Sequence, residues 1–249
     1  MSFVQPSPPR LYRVNFGPNV RLRDWSAARV KDRLGLSTFG HRWDDPQRKF
    51  RSLYLADSDI GAMVEVLQDL MPHPATVQRA RHLILEQGEA SPPVGAIDPE
   101  FFEDNYLCTL SAEVDGHFVD VLHAEVLKVM NDQHGALLQH LGLPPITADT
   151  MNGYHTEITQ AVARTVYDAN YDGITCMSKF GMPHVNWTIF ETGFETRDLR
   201  HSVELAAPAE QLSPAHPVVT KALEKFGVRI DPANGMLYPL SGASLPPAM

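Results

Sequence analysis

Short apolar runs, several of them alternating with polar residues, predict β-strands in two parts of the chain. The runs LYRV, RSLYLA, DGITCM and NWTIFE are rich in β-branched, aromatic and leucine residues, and they predict strands over 11–14, 51–56, 172–177 and 186–191. In RSLYLA, alternation places Leu53 and Leu55 on one face and Tyr54 on the other. We expect the leucine face to belong to the core.

Apolar residues at helical spacing predict the helices. These predicted helices cover residues 25–34, 60–70, 75–86, 122–141, 155–169 and 217–227. The DSD sequence at 57–59 supplies side-chain oxygens that can cap the second of them. Pro217 and Gly227 have the positions that proline and glycine prefer at the two ends of a helix.

The remaining patterns indicate connections and a fold class. LCTLSAEVDGHFVDVL predicts a hairpin that turns at Asp115 and Gly116, and PPITADTMNGY predicts a loop. Strands and helices do not alternate regularly, which favours an α+β fold over a doubly wound α/β fold. No repeat or clear linker divides the sequence, so we treat residues 1–249 as a single domain.

Composition narrows the class of protein. The 249 residues are 43% hydrophobic, which is enough for a sizeable core, and the formal net charge is -9. Without a basic run in this acidic chain, we expect no direct binding to nucleic acid. The two cysteines do not form a disulfide framework. The N-terminus lacks a signal pattern and no apolar run approaches the roughly 18 residues of a membrane span, so we expect a cytoplasmic protein with no membrane contact.

Several common catalytic motifs are absent from the sequence. It contains neither a phosphate-binding P-loop, nor the glycine fingerprint of dinucleotide-binding folds, nor a serine elbow. It has no H-E-x-x-H pair, and the spacing of His134 and His140 puts them on different sides of a helix. We therefore expect no metal site.

Four residues are candidates for chemistry, and each has a plain structural alternative. Arg42 can bind phosphate oxygens with its guanidinium, or it can stack on Trp43 or pair with a neighbouring aspartate. Tyr54 can stack on a planar ligand, or it can simply pack. Glu65, away from the apolar stripe of its helix, lines a cleft or lies in solvent, and Ser178 is a ligand contact or a loop serine.

The order of these residues resembles the RES-domain family, which is named for an arginine, a glutamate and a serine. The resemblance rests on GHRWDDP with Arg42, LYLA with Tyr54, AMVE with Glu65, YDGITCMS with Ser178 followed by NWTIFE, and LYRV with Arg13. It covers roughly residues 10–70 and 155–192. The family is similar to ADP-ribosyltransferases, and its characterised members are NAD-consuming toxins of toxin–antitoxin pairs.

The resemblance implies a set of roles. NAD is the substrate, Glu65 stabilises the positive charge that develops on the ribose, and Tyr54 stacks on nicotinamide. Arg42 and Arg13 hold the diphosphate, and Ser178 hydrogen-bonds nicotinamide or a phosphate. Lys179, where the family has an arginine, keeps the positive charge without the bidentate fork.

The same resemblance implies an ADP-ribosyltransferase-like mixed β core with surrounding helices. The residues that the resemblance does not cover are expected to form an added helical and hairpin segment at about 73–150 and a C-terminal extension after about 192. It also implies a small helical DNA-binding antitoxin that covers the cleft in a hetero-oligomer. Two alternatives stay open: mono-ADP-ribosylation of a protein target, and a non-catalytic interaction domain that kept the fold.

Overall fold

The computed structural model describes residues 4–6, 10–20, 29–31, 37–39, 41–47, 49–87, 93–112, 116–152, 155–178, 184–191 and 203–240. These residues form the mixed α+β fold that the sequence predicts. The helices are α1 (Asp59–Leu67), α2 (Pro74–Gln87), α3 (Pro99–Asp104), α4 (Ala124–Leu141), α5 (Ala148–Asn152), α6 (Thr156–Asp168) and α7 (Pro217–Lys225). The strands are β1 (Val4–Pro6), β2 (Arg10–Phe16), β3 (Arg29–Lys31), β4 (Ser37–Phe39), β5 (Arg51–Ala56), β6 (Gly95–Ala96), β7 (Asn105–Ala112), β8 (His117–Asp120), β9 (Gly173–Met177), β10 (Val185–Glu191), β11 (Val203–Leu205), β12 (Glu210–Gln211), β13 (Val228–Ile230) and β14 (Met236–Pro239).

The chain divides into two compact units, each built from separate stretches of sequence. Unit 1 comprises Met1–Leu11, Arg21–Asp57 and Leu110–Ala206. Unit 2 comprises Tyr12–Val20, Ser58–Thr109 and Ala207–Met249. The prediction of a single domain over 1–249, with an insertion at about 73–150 and an extension after about 192, stays a prediction.

Unit 1 contains a mixed sheet with the order β1-β8-β9-β10-β5. The β8–β9 pair is parallel and the other three pairs are antiparallel. Because a parallel pair cannot be joined by a tight turn, the chain between β8 and β9 must cross over the sheet, and it does so through α4, α5 and α6. One element of βαβ character is therefore present in an otherwise antiparallel arrangement.

The three crossover helices build the core of unit 1 against one face of this sheet. In α6, the helical spacing of Ile158, Val162 and Val166 gives three fully buried side chains, as their pattern predicts. Completely burying a side chain of this size contributes about 1.5–3 kcal/mol each. The same cluster includes two residues from the segment between β4 and β5, Trp43 and Phe50, so this segment is anchored in the core.

Unit 2 combines a small sheet with a pair of packed helices. The strands β13, β14 and β6 form a three-stranded antiparallel sheet. Helix α1 packs against α7, and each contributes a buried apolar stripe. Helix α7 begins at Pro217, and the chain leaves it through Gly227 with a φ of 69°, the left-handed conformation that favours glycine.

Most of the predicted elements are confirmed. The strand predicted over 51–56 has these bounds, and Leu53 and Leu55 are buried as expected. Helix α1 is capped by Ser58, whose hydroxyl accepts a hydrogen bond from the Gly61 N–H at 3.1 Å. None of the helices in the described part of the chain combines the length and the apolarity needed to cross a membrane.

Three local predictions are wrong. The predicted helix over 25–34 is wrong at residues 29–31, which form strand β3, and its other residues lie outside the described ones. The predicted hairpin is wrong because β8 pairs with β1 and β9, and Asp115 of its supposed turn lies outside the described residues. The predicted loop over 144–154 contains α5, which begins with a reciprocal pairing between Thr147 and Thr150.

Candidate functional site

The segment from His41 to Phe50 positions Arg42. Two of its guanidinium nitrogens have partners in unit 1: Nη1 donates to the Met151 carbonyl at 3.2 Å, and Nη2 donates to Cys176 Sγ at 3.1 Å. The guanidinium carbon lies 5.0 Å from the centre of the Trp43 ring. Of the alternatives that the sequence left open for Arg42, the structure shows stacking on the neighbouring tryptophan. A guanidinium has more N–H donors than these two contacts use, so this geometry is compatible with an anion.

Tyr54 ties this segment to strand β5. Its hydroxyl accepts a hydrogen bond from the Trp43 N–H at 3.0 Å and donates to Asp44 Oδ1 at 3.3 Å. Ser52, two residues earlier on the same face, donates to the Trp43 carbonyl at 2.7 Å. Both backbone groups of Trp43 are therefore bound by side chains of β5. The Tyr54 ring packs against the core of unit 1, and it forms an edge-to-face pair with the His41 ring, with 5.6 Å between the ring centroids.

The electrostatics of Tyr54 follow from this arrangement. Burial raises the pKa of the Tyr54 hydroxyl well above its ordinary value, and the nearby Asp44 carboxylate raises this pKa further. The Trp43 N–H and the Arg42 charge act in the opposite direction with smaller effect. The hydroxyl is therefore protonated and neutral at physiological pH.

Ser178 lies where β9 ends, two residues beyond Cys176. It is buried, with 2% of its surface exposed, and its N–H donates to the His184 carbonyl at 2.9 Å. The Arg42 guanidinium donates to Cys176 Sγ, so it lies near the same end of β9. Unit 1 thus brings Arg42, Tyr54 and Ser178 to one region of its sheet. Lys179, the next candidate, lies outside the described residues.

The two other candidates belong to unit 2. Glu65 is half-buried in α1, and its Oε2 accepts a hydrogen bond from Gln68 Nε2 at 3.3 Å. Ala62, three residues before Glu65 and therefore on the same side of the helix, is buried, so this side is not a fully solvated one. Arg13 is half-buried in β2 and donates through Nε to Asn15 Oδ1 at 3.2 Å. The ligand roles given to all these residues stay predictions.

Sequence reasoning missed several residues that hold the Arg42 segment. Gln160 of α6 donates to the His41 carbonyl at 3.1 Å, and Arg164 forms an ion pair with the buried Asp45. A signal was available in the sequence, because a glutamine and an arginine four residues apart lie on one face of a helix. Among the described residues, no group of three or more His, Cys, Asp or Glu side chains is placed to hold a metal ion.

Comparison with known proteins gives one family and one solved structure to report. A chain of the crystal structure of the M. tuberculosis MbcT–MbcA toxin–antitoxin complex aligns with a TM-score of 0.49 and 20% sequence identity, over 85% of this chain and 88% of that one. None of the curated proteins matches this chain. The model of the RES domain matches residues 10–211, which is most of the sequence. The chain therefore belongs to the RES-domain family.

Proposed function

We propose that this protein cleaves the bond between nicotinamide and ribose in NAD, with water or inorganic phosphate as acceptor. The observation that carries the proposal is the grouping of Arg42, Tyr54 and Ser178 in unit 1, in a chain whose family membership rests on most of its length. These are the residue types that the RES resemblance assigns to NAD, at the positions that it assigns.

The chemistry requires little from the protein beyond binding and electrostatics. The glycosidic bond breaks with its electron pair going to the nicotinamide nitrogen, which leaves as a neutral base. The ribose carbon becomes positively charged in the transition state, and a carboxylate stabilises that charge. In the proposal Glu65 has this role. Water or phosphate then bonds to the ribose carbon, and with water the extra proton goes to solvent.

Arg42 is proposed to bind the diphosphate of NAD. Its guanidinium is held by the Met151 carbonyl, Cys176 Sγ and the Trp43 ring, so little side-chain freedom remains to be lost on binding. A planar guanidinium with further N–H donors suits phosphate oxygens. Arg13 and Lys179 are proposed as additional cations for the same group, and Ser178 as a hydrogen-bonding partner of nicotinamide or phosphate.

Tyr54 is proposed to contact nicotinamide through its ring. Its hydroxyl is engaged with Trp43 and Asp44, and the pKa of that hydroxyl is raised, so it is not a base for the reaction. The proposal also includes a toxin role, with a small helical antitoxin as the partner that neutralises it.

The test is a chromatographic assay of purified protein with NAD, in buffers with and without phosphate. We expect the wild type to release nicotinamide, and we expect Glu65→Gln to lose at least about 100-fold in rate, the typical effect of removing one group that stabilises transition-state charge. Glu125→Gln, an exposed glutamate on α4, is the matched control and should keep full activity.

The products identify the acceptor. Free ADP-ribose indicates hydrolysis, and its phosphorylated form indicates phosphorolysis. Label from NAD on protein, without free ADP-ribose, would instead support mono-ADP-ribosylation of a protein target. Intact NAD in both buffers, with a folded wild type, would refute the proposal and favour a non-catalytic interaction domain.

A further inference from the structure

Helix α6 contacts the Arg42 segment, residues 41–50, at two points, one before and one after Arg42 in sequence. Gln160 is buried, with 4% of its surface exposed, and its amide donates to the carbonyl of His41, the residue before Arg42. One turn later, Arg164 forms an ion pair with Asp45 and donates through Nη1 to Gln47 Oε1 at 2.8 Å. Gln160 and Arg164 are four residues apart, so both contacts come from the same face of helix α6.

Asp45 organises the interior of the segment. Only 1% of its surface is exposed, and its carboxylate accepts hydrogen bonds from the Gln47 N–H at 3.0 Å and from the Lys49 N–H, in addition to the Arg164 contact. A buried carboxylate is tolerated only when it has such partners. Removing Arg164 would leave this charge without its cation, and the segment would have to rearrange.

These contacts concern Arg42 because arginine recognition of phosphate is directional. A guanidinium binds phosphate oxygens through a rigid planar fork, so the position of the backbone that carries it determines how well the fork fits. Gln160 binds the carbonyl of His41, and Asp45 binds the N–H groups of Gln47 and Lys49. They fix the residues that flank it.

We propose that Gln160 and the Asp45–Arg164 pair are positioning residues for Arg42, and that they set its affinity for the diphosphate of the substrate. This inference rests on the proposed function. It adds residues of α6 to the candidate residues that the sequence supplied.

The first test compares two ligands in Gln160→Met, which keeps the side-chain length and loses the amide donor. NMR titration, which covers weak affinities, would measure the Kd of NAD, which has the diphosphate, and of nicotinamide, which lacks it. Every protein compared, the wild type included, would also carry Glu65→Gln so that NAD is not consumed during the titration. We expect NAD to bind about 10- to 100-fold more weakly, the effect of weakening a hydrogen bond between charged groups, and nicotinamide to bind as in the wild type. Unchanged NAD affinity, or an equal loss for both ligands, would overturn the inference.

Two further variants complete this test. Gln133→Met, an exposed glutamine on α4, is the matched control and should leave both affinities unchanged. Arg164→Lys keeps the charge beside Asp45 but loses the fork that also reaches Gln47, so we expect a smaller selective loss of NAD affinity than for Gln160→Met. If Gln160→Met does not fold, Arg164→Lys takes its place. Absence of a selective loss of NAD affinity in Arg164→Lys would then overturn the inference.

A second measurement does not depend on NAD. Amide hydrogen exchange of residues 41–50 reports on whether α6 fixes the segment. We expect faster exchange in Gln160→Met and Arg164→Lys than in the wild type. If the wild type does not bind NAD, the proposed function fails, and exchange alone then decides whether α6 positions Arg42. Unchanged exchange in both variants would overturn the positioning role in either case.

Discussion

Replacing Tyr54 by phenylalanine tests whether its hydroxyl holds the Arg42 segment. The change removes the acceptor of the Trp43 N–H, a 3.0 Å hydrogen bond, and Trp43 is buried, with 1% of its surface exposed. An unsatisfied buried donor costs about 1–3 kcal/mol. The bond to Asp44 is long, at 3.3 Å, and Asp44 keeps its 2.7 Å bond from the His41 N–H, so its loss adds little. We expect a decrease of about 2 kcal/mol in the free energy of unfolding.

For a chain of this length, about 2 kcal/mol corresponds to a fall of about 4–8 °C in Tm. The assay is thermal unfolding followed by circular dichroism. Tyr167→Phe is the matched control. Tyr167 packs against the same core through its ring contacts with Phe50 and Phe190, and its hydroxyl forms no hydrogen bond with a described residue. A Tyr54→Phe protein as stable as Tyr167→Phe would refute the structural role of the hydroxyl.

Two other predictions concern stability. Burial lowers the pKa of His134, so the folded state resists its protonation. The free energy of unfolding should therefore fall as pH drops below about 6.5, the ordinary pKa of histidine. His134→Gln should weaken this dependence on pH in urea unfolding measured from pH 7.5 to 5. Gly173→Ala would place a methyl group 2.7 Å from Phe118 Cε1 and closer still to the Thr188 carbonyl, so we expect a loss of at least about 1–3 kcal/mol in unfolding free energy. Gly135→Ala, in open space on α4, should instead stabilise by about 0.5–1 kcal/mol, and equal effects of the two glycine changes would contradict this reasoning.

The elements that the sequence predicted well are those whose signal is local. Strand β5 and helices α4 and α6 have strong periodicity, and their bounds differ little from the predicted ones. The pairing of β8 was not predictable in this way. Alternation identifies a strand but not its neighbour, and the parallel pairing with β9 depends on packing across the long α4–α6 crossover.

For the candidate site, too, residue types could be predicted from the sequence but contacts between distant residues could not. Arg42 and Tyr54 could be proposed from residue type and order, but the contact between Arg42 and Cys176 joins residues that are 134 positions apart. The periodicity of a sequence does not indicate a contact between residues so far apart in the chain. Helix α5 was missed for a different reason: its start is capped by a reciprocal threonine pair, Thr147 and Thr150, in place of the acidic residue that a capping box has.

The surroundings of Tyr54 limit the ways in which it can act on a substrate. Its proton is donated to Asp44, and its oxygen already accepts from the Trp43 N–H. A hydroxyl used in this way cannot also donate to a ligand without breaking a bond that holds the segment carrying Arg42. Its raised pKa excludes the phenolate as a base near neutral pH. The direct contact proposed for Tyr54 is therefore that of its ring with nicotinamide. Tyr54→Phe keeps the ring, so nicotinamide affinity should be unchanged, while stability falls and NAD affinity falls with it because the Arg42 segment loses the hydrogen bonds at Trp43 and Asp44. Tyr54→Ala should lower nicotinamide affinity as well.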